Sequence, residues 1–244
     1  MGKQTGLGGS FYFAGYDLSG DIQTFTTSGG PALLDSTAIN QLANARLPGQ
    51  RSGTIDQVAY FDKTGAHVPL SALPTTDVQV MLCPVATVLG APAVAQISKQ
   101  LNYDPTRDAA GNLTEKTESQ SNGFGQEWGV LLTPGIRTDT TATNGTAVDL
   151  TTVSTAFGFQ AYLQVFAITG TSVTVTLQDS ADNVTFANIT SGAFTAVASA
   201  NQTQRIAVGG TGVVRRYVRA VTSGTFTNAQ FAVMFVRNTI AVSF

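Results

Sequence analysis

Apolar and polar positions along this chain follow more than one rhythm. From Val173 to Gln178 they alternate strictly, Val173, Val175 and Leu177 against Thr174, Thr176 and Gln178. That is the pattern of an antiparallel strand with one face buried and the other wet. Residues 93–103 show a similar period of two, with Ala93, Ala95, Ile97, Lys99 and Leu101 on one side. Residues 33–62 break the rhythm. Asp35, Ser36 and Thr37 are N-cap residue types, and Ile39, Leu42 and Ala43 follow at i, i+3 and i+4. This predicts a short helix with one apolar stripe. Leu47-Pro48-Gly49 should end it, because Pro disfavours helical geometry at the residue before it and Gly tolerates positive φ. Thr54 to Phe61 then has the β-branched and aromatic content of a strand.

The remaining segments read as strands of varying quality. Residues 11–18 and 22–26 predict two, joined at Ser19-Gly20-Asp21. Pro69, Pro74 and Pro84 restrict residues 68–88 to short or edge strands. DPTRDAAGN, 104–112, reads as a polar loop, and Leu113 to Gln120 as a strand polar on both faces, either an exposed hairpin arm or one that pairs with another chain. Trp128, the only tryptophan, is expected as a core anchor. Residues 133–152, rich in Thr, Gly and Asn with no period, predict an inter-domain linker. Beyond it, residues 204–208, 213–221 and 226–236 predict further strands, separated by Gly-rich turns as in an all-β sandwich. The fold class is therefore mainly β: a first domain over 1–133 with one flanking helix, a linker over 134–152, and a second sandwich over 153–244.

The ordered features of residues 33–62 resemble major tail tube proteins of long-tailed, siphovirus-like bacteriophages. In that family an Asp-Ser/Thr cap follows a strand, a short helix comes next, and an L-P-G-x-x-x-G turn leads into a strand closing on an aromatic–Asp pair. Here these are Asp35-Ser36-Thr37, Leu47-Pro48-Gly49 with Gly53, and Phe61-Asp62. The resemblance covers about residues 8–133. A weaker one, resting on Leu177 to Ser180 with Phe186 and on Arg216 to Arg219, links the second part to jelly-roll-like modules appended to phage structural proteins. It implies a virion protein: hexameric rings stacked into a tube that conducts DNA, with tape measure, tail terminator and distal tail proteins as partners. The second domain would be displayed outside. Residues 99–120 would contact the next ring, and residues 1–10 would order on assembly.

Composition sharpens this picture. Only 11% of the 244 residues are charged, against about 25% in a typical domain, as suits a chain that buries much of its surface against copies. The net charge of −2 gives no sign of phosphate binding. Residues 1–133 carry seven basic and eleven acidic side chains, and 134–244 six arginines and four aspartates. An acidic lining would let a polyanion slide past, so the first domain is expected to face the DNA path. The single Cys83 rules out an intramolecular disulfide. No apolar run is long enough to span a membrane, and no apolar h-region opens the chain, so a cytoplasmically made protein is expected. The five Asn-x-Thr triplets, at Asn112, Asn144, Asn183, Asn188 and Asn201, read as accidents of a Thr-rich chain.

Candidate chemistry is sparse. His67, the only histidine, reads as an exposed loop residue and has no visible catalytic companions. Asp179 and Asp182 sit where a hard cation is conceivable, yet Asx residues favour turns for local reasons, and the turn reading is preferred. Arg215, Arg216 and Arg219 form the one basic cluster, read as strand-edge arginines rather than a glycan- or partner-binding face. No catalytic, cofactor-binding or metal-ligating residue is assigned and the chain is not expected to be an enzyme. The competing reading is a carbohydrate-binding or host-surface adhesion protein whose activity lies in the second sandwich.

Overall fold

The structure is a computed structural model and describes residues 5–210 and 212–242. In the first half the elements are β1 (Ser10–Phe13), β2 (Tyr16–Asp17), β3 (Ile22–Asp35), β4 (Arg46–Tyr60), α1 (His67–Ser71), β5 (Val78–Cys83), β6 (Pro92–Gln100), β7 (Asp104–Arg107) and β8 (Leu113–Ser121). After these come β9 (Glu127–Leu131), β10 (Arg137–Asp139), β11 (Val148–Asp149), β12 (Phe159–Ser180), β13 (Ala187–Ala193), β14 (Gln202–Val208) and β15 (Tyr217–Arg237). The protein is mainly β, as expected. Its one described helix is α1, not the helix expected near residues 36–46.

The chain divides into two compact units, neither continuous in sequence. One takes residues up to Gly20, Met81–Ala95 and the chain from Glu127 onward; the other takes Asp21–Val80 and Gln96–Gln126. This division differs from the expected split at 134–152.

The first unit is organised by β12 and β15, which pair antiparallel from Phe159↔Arg237 to Ser180↔Tyr217. Val173, Val175 and Leu177 are buried, as their alternation predicts. Phe159 and Phe235 stack with ring centroids 5.4 Å apart, in a core that also holds Leu163, Val218, Phe231 and Val233. Burying each large side chain there contributes about 1.5–3 kcal/mol. The strand register shifts around Gly170, at φ +139, where a Cβ would lie 2.5 Å from the Thr225 carbonyl oxygen. Residues 217–237 form one long strand, so Gly224 sits within a strand instead of separating two. The β1–β2 hairpin turns through Ala14 and Gly15, both at positive φ, and Gly15 N–H donates to Gln164 Oε1 (2.6 Å).

The stretch expected as a linker belongs to this unit. β10 and β11 both pair with β15 (Thr138↔Gln230, Val148↔Val218), and Asn144 bridges Val221. A Thr-rich segment lacks apolar periodicity, but its backbone groups are satisfied when a long neighbouring strand offers an edge. Trp128 is also misplaced by the sequence reading. It lies on β9 and is half exposed, whereas its neighbour Glu127 points inward.

In the second unit β4 pairs with β3 and β8, and β8 also pairs with β6 and β7. β8 is therefore an interior strand and not an exposed arm: Glu115, Thr117 and Ser119 are buried. Residues 104–107, expected as loop, form β7 against it. β5 is buried throughout, not an edge strand, because Pro69, Pro74 and Pro84 flank it without interrupting it. Pro69 sits in the first turn of α1, where its missing N–H costs no helical bond.

Candidate assembly surface

The second unit carries a long two-stranded arm. β3 and β4 pair from Ile22↔Ala59 to Asp35↔Arg46, but β4 meets β8 only from Thr54 to Tyr60. From Ser28 to Ser52 the ribbon is exposed, apart from part-buried Ala45 and Gly49. Leu47-Pro48-Gly49 lies inside β4, and Gly49 is not at positive φ, so the predicted helix-ending turn does not form.

The loop at the end of the arm shows why the helix reading fails. Asp35 Oδ1 accepts from the Thr37 N–H (2.9 Å), and Thr37 Oγ1 accepts from the Ala45 N–H (2.9 Å). Ser36 N–H donates to the Ala45 carbonyl (2.9 Å), and Gln41 Oε1 accepts from the Ala38 N–H (2.9 Å). The capping side chains thus close a hairpin loop instead of starting a helix. About ten residues with no covering surface cannot offset the cost of helix nucleation. Ile39 and Leu42 are left fully exposed (109% and 106%), with Leu33, Leu34 and Leu47 more than half exposed behind them.

Such a ribbon is marginal alone. The uncharged loop and the aliphatic side chains behind it form an exposed apolar patch, a candidate interaction surface. Among the described residues β3 pairs only with β4, which leaves its outer edge open there, with Pro31 withdrawing one donor from it.

The other candidates resolve into local structure. His67 is half-buried at the start of α1 and not an exposed loop residue; its Nδ1 lies 2.7 Å from Tyr103 Oη, which donates to Glu115 Oε2 (2.6 Å). Burial pushes the Glu115 carboxyl and the Tyr103 phenol above their ordinary ranges. Across β4 and β8, Asp56 sits opposite Glu118 and is held up by burial and by that second carboxylate.

Each of the three clustered arginines is engaged within the chain. Arg215 donates its N–H to Asp179 Oδ2 (2.7 Å), Arg216 forms a two-bond pair with Asp149 (both 2.7 Å), and Arg219 binds Gln178 Oε1 and lies 3.9 Å from the Phe186 ring centroid. Asp182 accepts from the Val184 and Thr185 N–H groups (2.9 and 2.8 Å), and these backbone bonds hold its carboxyl well below the usual range. It is a turn residue. No group of three or more metal-ligating side chains occurs among the described residues.

Of the segment expected to order on assembly, residues 1–4 lie outside the described residues. In the remainder, Gly8 accepts from both the N–H and the hydroxyl of Thr87 (each 3.0 Å).

No family model and no curated protein matches the chain. Among solved structures it is similar to a chain in the tail of an empty gene transfer agent particle refined with C6 symmetry, at 13% identity and a TM-score of 0.41, covering 50% of this chain and 95% of that one. A chain in the virion of a native gene transfer agent particle gives 14% identity and a TM-score of 0.36, over 44% and 84%. The Dit protein of SPP1, a hub adsorption apparatus in phages that infect Gram-positive hosts, gives 13% and 0.33, over 93% and 98%. Likeness this distant assigns no function.

Proposed function

We propose that the chain is a structural subunit of a phage-type tail tube, built to assemble with copies of itself into rings and stacked rings. The observation that carries this reading is the β3–β4 arm: from Ser28 to Ser52 almost everything is exposed, and five aliphatic side chains have no cover. Full burial of each is worth about 1.5–3 kcal/mol, enough together to offset the ordering cost of an interface. The residues that prompted the tail-tube resemblance, from Asp35 to Phe61, fall on or beside this arm. The low charge content of the whole chain fits a protein whose surface is largely covered by its neighbours.

In this reading six copies close each ring and DNA passes through the bore. The second unit, with six basic and nine acidic side chains, suits the side facing DNA, because repetition around a ring multiplies a small acidic excess into a repulsive field. The carbohydrate-binding alternative gains no support from the arginine cluster, since Arg216 and Arg219 pair with Asp149 and Gln178 and Arg215 Nε lies 3.6 Å from Asp179 Oδ1.

Electron microscopy of the purified protein over a concentration series tests the proposal. Rings or tubes are expected. A protein that stays monomeric at the highest concentration reached would overturn it.

A further inference from the structure

Beneath α1, in the second unit, lies a buried acid with too few partners. Glu115 is fully buried on the inner face of β8. Its Oε2 accepts from Tyr103 Oη (2.6 Å), which lies 2.7 Å from Nδ1 of His67, the first residue of α1. Its Oε1 has no protein hydrogen-bond partner. β4 sets Ala59 opposite Glu115 and Gln57 opposite Thr117, the next inward residue of β8. Both amide atoms of Gln57 and the Thr117 hydroxyl are buried without a protein partner as well, so none of them supplies Oε1. One bond from a phenol is poor compensation for a buried carboxylate, whereas the neutral acid costs far less to bury.

The surrounding charges act in the same direction. β7 sets Pro105 opposite Glu115 and leaves its own Asp104 and Arg107 exposed. On β8 itself Lys116 and Glu118 lie on the other face and pair with each other. The flanking segments bring Asp21, whose Oδ2 accepts from the Ala66 N–H (2.8 Å), and Asp62, whose Oδ1 accepts from the N–H and the hydroxyl of Thr64 (each 2.8 Å). Lys63 is exposed beside Asp62. Burial first, and then the fields of Asp21 and Asp62, raise the Glu115 carboxyl above its ordinary range, against the Tyr103 hydrogen bond and the field of His67.

α1 itself is held lightly. It has five residues, and beyond the burial of Ala66, Pro69 and Leu70 its ties to the sheet include the His67–Tyr103 contact and the Leu70 carbonyl, which accepts from Gln100 Nε2 (2.7 Å). Leu73, just past its end, holds φ +43, a left-handed conformation uncommon for a residue other than glycine. The chain is therefore strained where it leaves the helix.

We propose that α1 is a pH-sensitive latch, closed on the sheet while Glu115 keeps its proton and released, with residues 62–73, when Glu115 ionises. Opening hydrates the carboxylate, relieves its repulsion with Asp21 and Asp62, and frees Leu73. The open state binds the proton with ordinary carboxyl affinity and the closed state more tightly. Closure is therefore strongest at low pH and weakens as pH rises between the two values. The latch is local to the second unit and operates in a single copy, whatever the chain assembles into.

Hydrogen exchange of the full-length protein, read by mass spectrometry from pH 4 to pH 8 and corrected for intrinsic rates, tests the latch. Peptides covering 62–73 should lose protection by about tenfold per pH unit above the ordinary carboxyl value and then level off, while peptides from β12 and β15 stay protected. Glu115→Gln, neutral at every pH, should keep 62–73 protected throughout. Tyr103→Phe cuts the link between His67 and Glu115, and should lower the protection of 62–73 already at pH 4. A flat wild-type profile for 62–73 overturns the proposal, as does a fall that Glu115→Gln leaves unchanged, or one shared by β12 and β15. So does a Tyr103→Phe chain as protected at pH 4 as wild type. If His67→Gln abolishes the fall and Glu115→Gln does not, the imidazole is the switch and the assignment to Glu115 is wrong.

Discussion

Replacing Asp139 by Ala asks directly whether residues 133–152 belong to the folded first unit. The Asp139 carboxylate is 5% exposed and accepts from Arg137 Nε (2.8 Å), Arg137 Nη2 (2.7 Å) and Thr222 Oγ1 (2.7 Å). Arg137 also donates to the Ala220 carbonyl (2.8 Å) and lies 5.3 Å from the Phe231 ring centroid, with its side chain 11% exposed. Without the carboxylate, a nearly buried guanidinium loses its counterion, which costs about 3–5 kcal/mol. In a chain of this size 1 kcal/mol moves the melting temperature by about 2–4 °C, so Asp139→Ala should melt roughly 6–20 °C lower. Asp139→Asn, which keeps the shape without the charge, should fall between. The double variant Arg137→Met/Asp139→Ala should recover much of the loss, because no buried charge then remains unpaired. Thermal unfolding followed by circular dichroism reads all three. If Asp139→Ala melts with wild type, residues 133–152 are a detached connection after all.

Three shorter predictions accompany it. Mild chymotrypsin treatment should cut first at Leu42 in the exposed tip, leaving the fragments associated, whereas first cleavage within 133–152 would contradict the pairing of β10 and β11 with β15. Glu115 has its folded-state pKa raised by burial above the ordinary 4.5, so its stabilising contribution is full below that value and is lost as pH rises through the folded pKa; Glu115→Gln should therefore gain stability relative to wild type from pH 4 to pH 7, and a constant difference in melting temperature would refute this. Gly158→Ala places a Cβ 1.7 Å from the Val208 carbonyl oxygen at φ +77, and should cost at least about 1–3 kcal/mol in urea unfolding; a neutral result would mean that the β12–β14 end is looser than described.

Legibility in the sequence varied with the physics of each segment. Val173 to Gln178 was readable because a strand with one wet face must alternate, whatever its neighbours do. Residues 35–46 were not, since Asp, Ser and Thr satisfy free backbone N–H groups equally well in a helix cap and in a hairpin loop. The i, i+3, i+4 spacing of Ile39, Leu42 and Ala43 completed the misreading, and so hid the candidate surface: Ile39 and Leu42, assigned to a buried helical face, are the most exposed large hydrophobic side chains among the described residues. Residues 133–152 carry no apolar period because β15 supplies the edge they bind, and that information lies about ninety residues downstream. Trp128 follows the parity of β9, which sends Glu127 inward and the indole outward, against its hydrophobicity.

The interleaving of the two units fixes an order of events during synthesis. Phe11, Tyr12 and Phe13 are translated well before β12 and are almost completely buried in the finished protein. Their supports arrive late: Gly15 is held by Gln164, and the Tyr12 ring meets Phe166 at 4.9 Å. At about 5–20 residues per second, that delay is on the order of 8–30 s. The residues of the second unit are all translated by Gln126, before any of β12 exists, while β1 must wait for the other half of its own unit. A nascent chain therefore holds its aromatic strand with β2 and β5 beside it but without its β12 contacts for much of its translation. Truncations ending before Phe159 should aggregate through that strand, even where they contain every residue of the second unit.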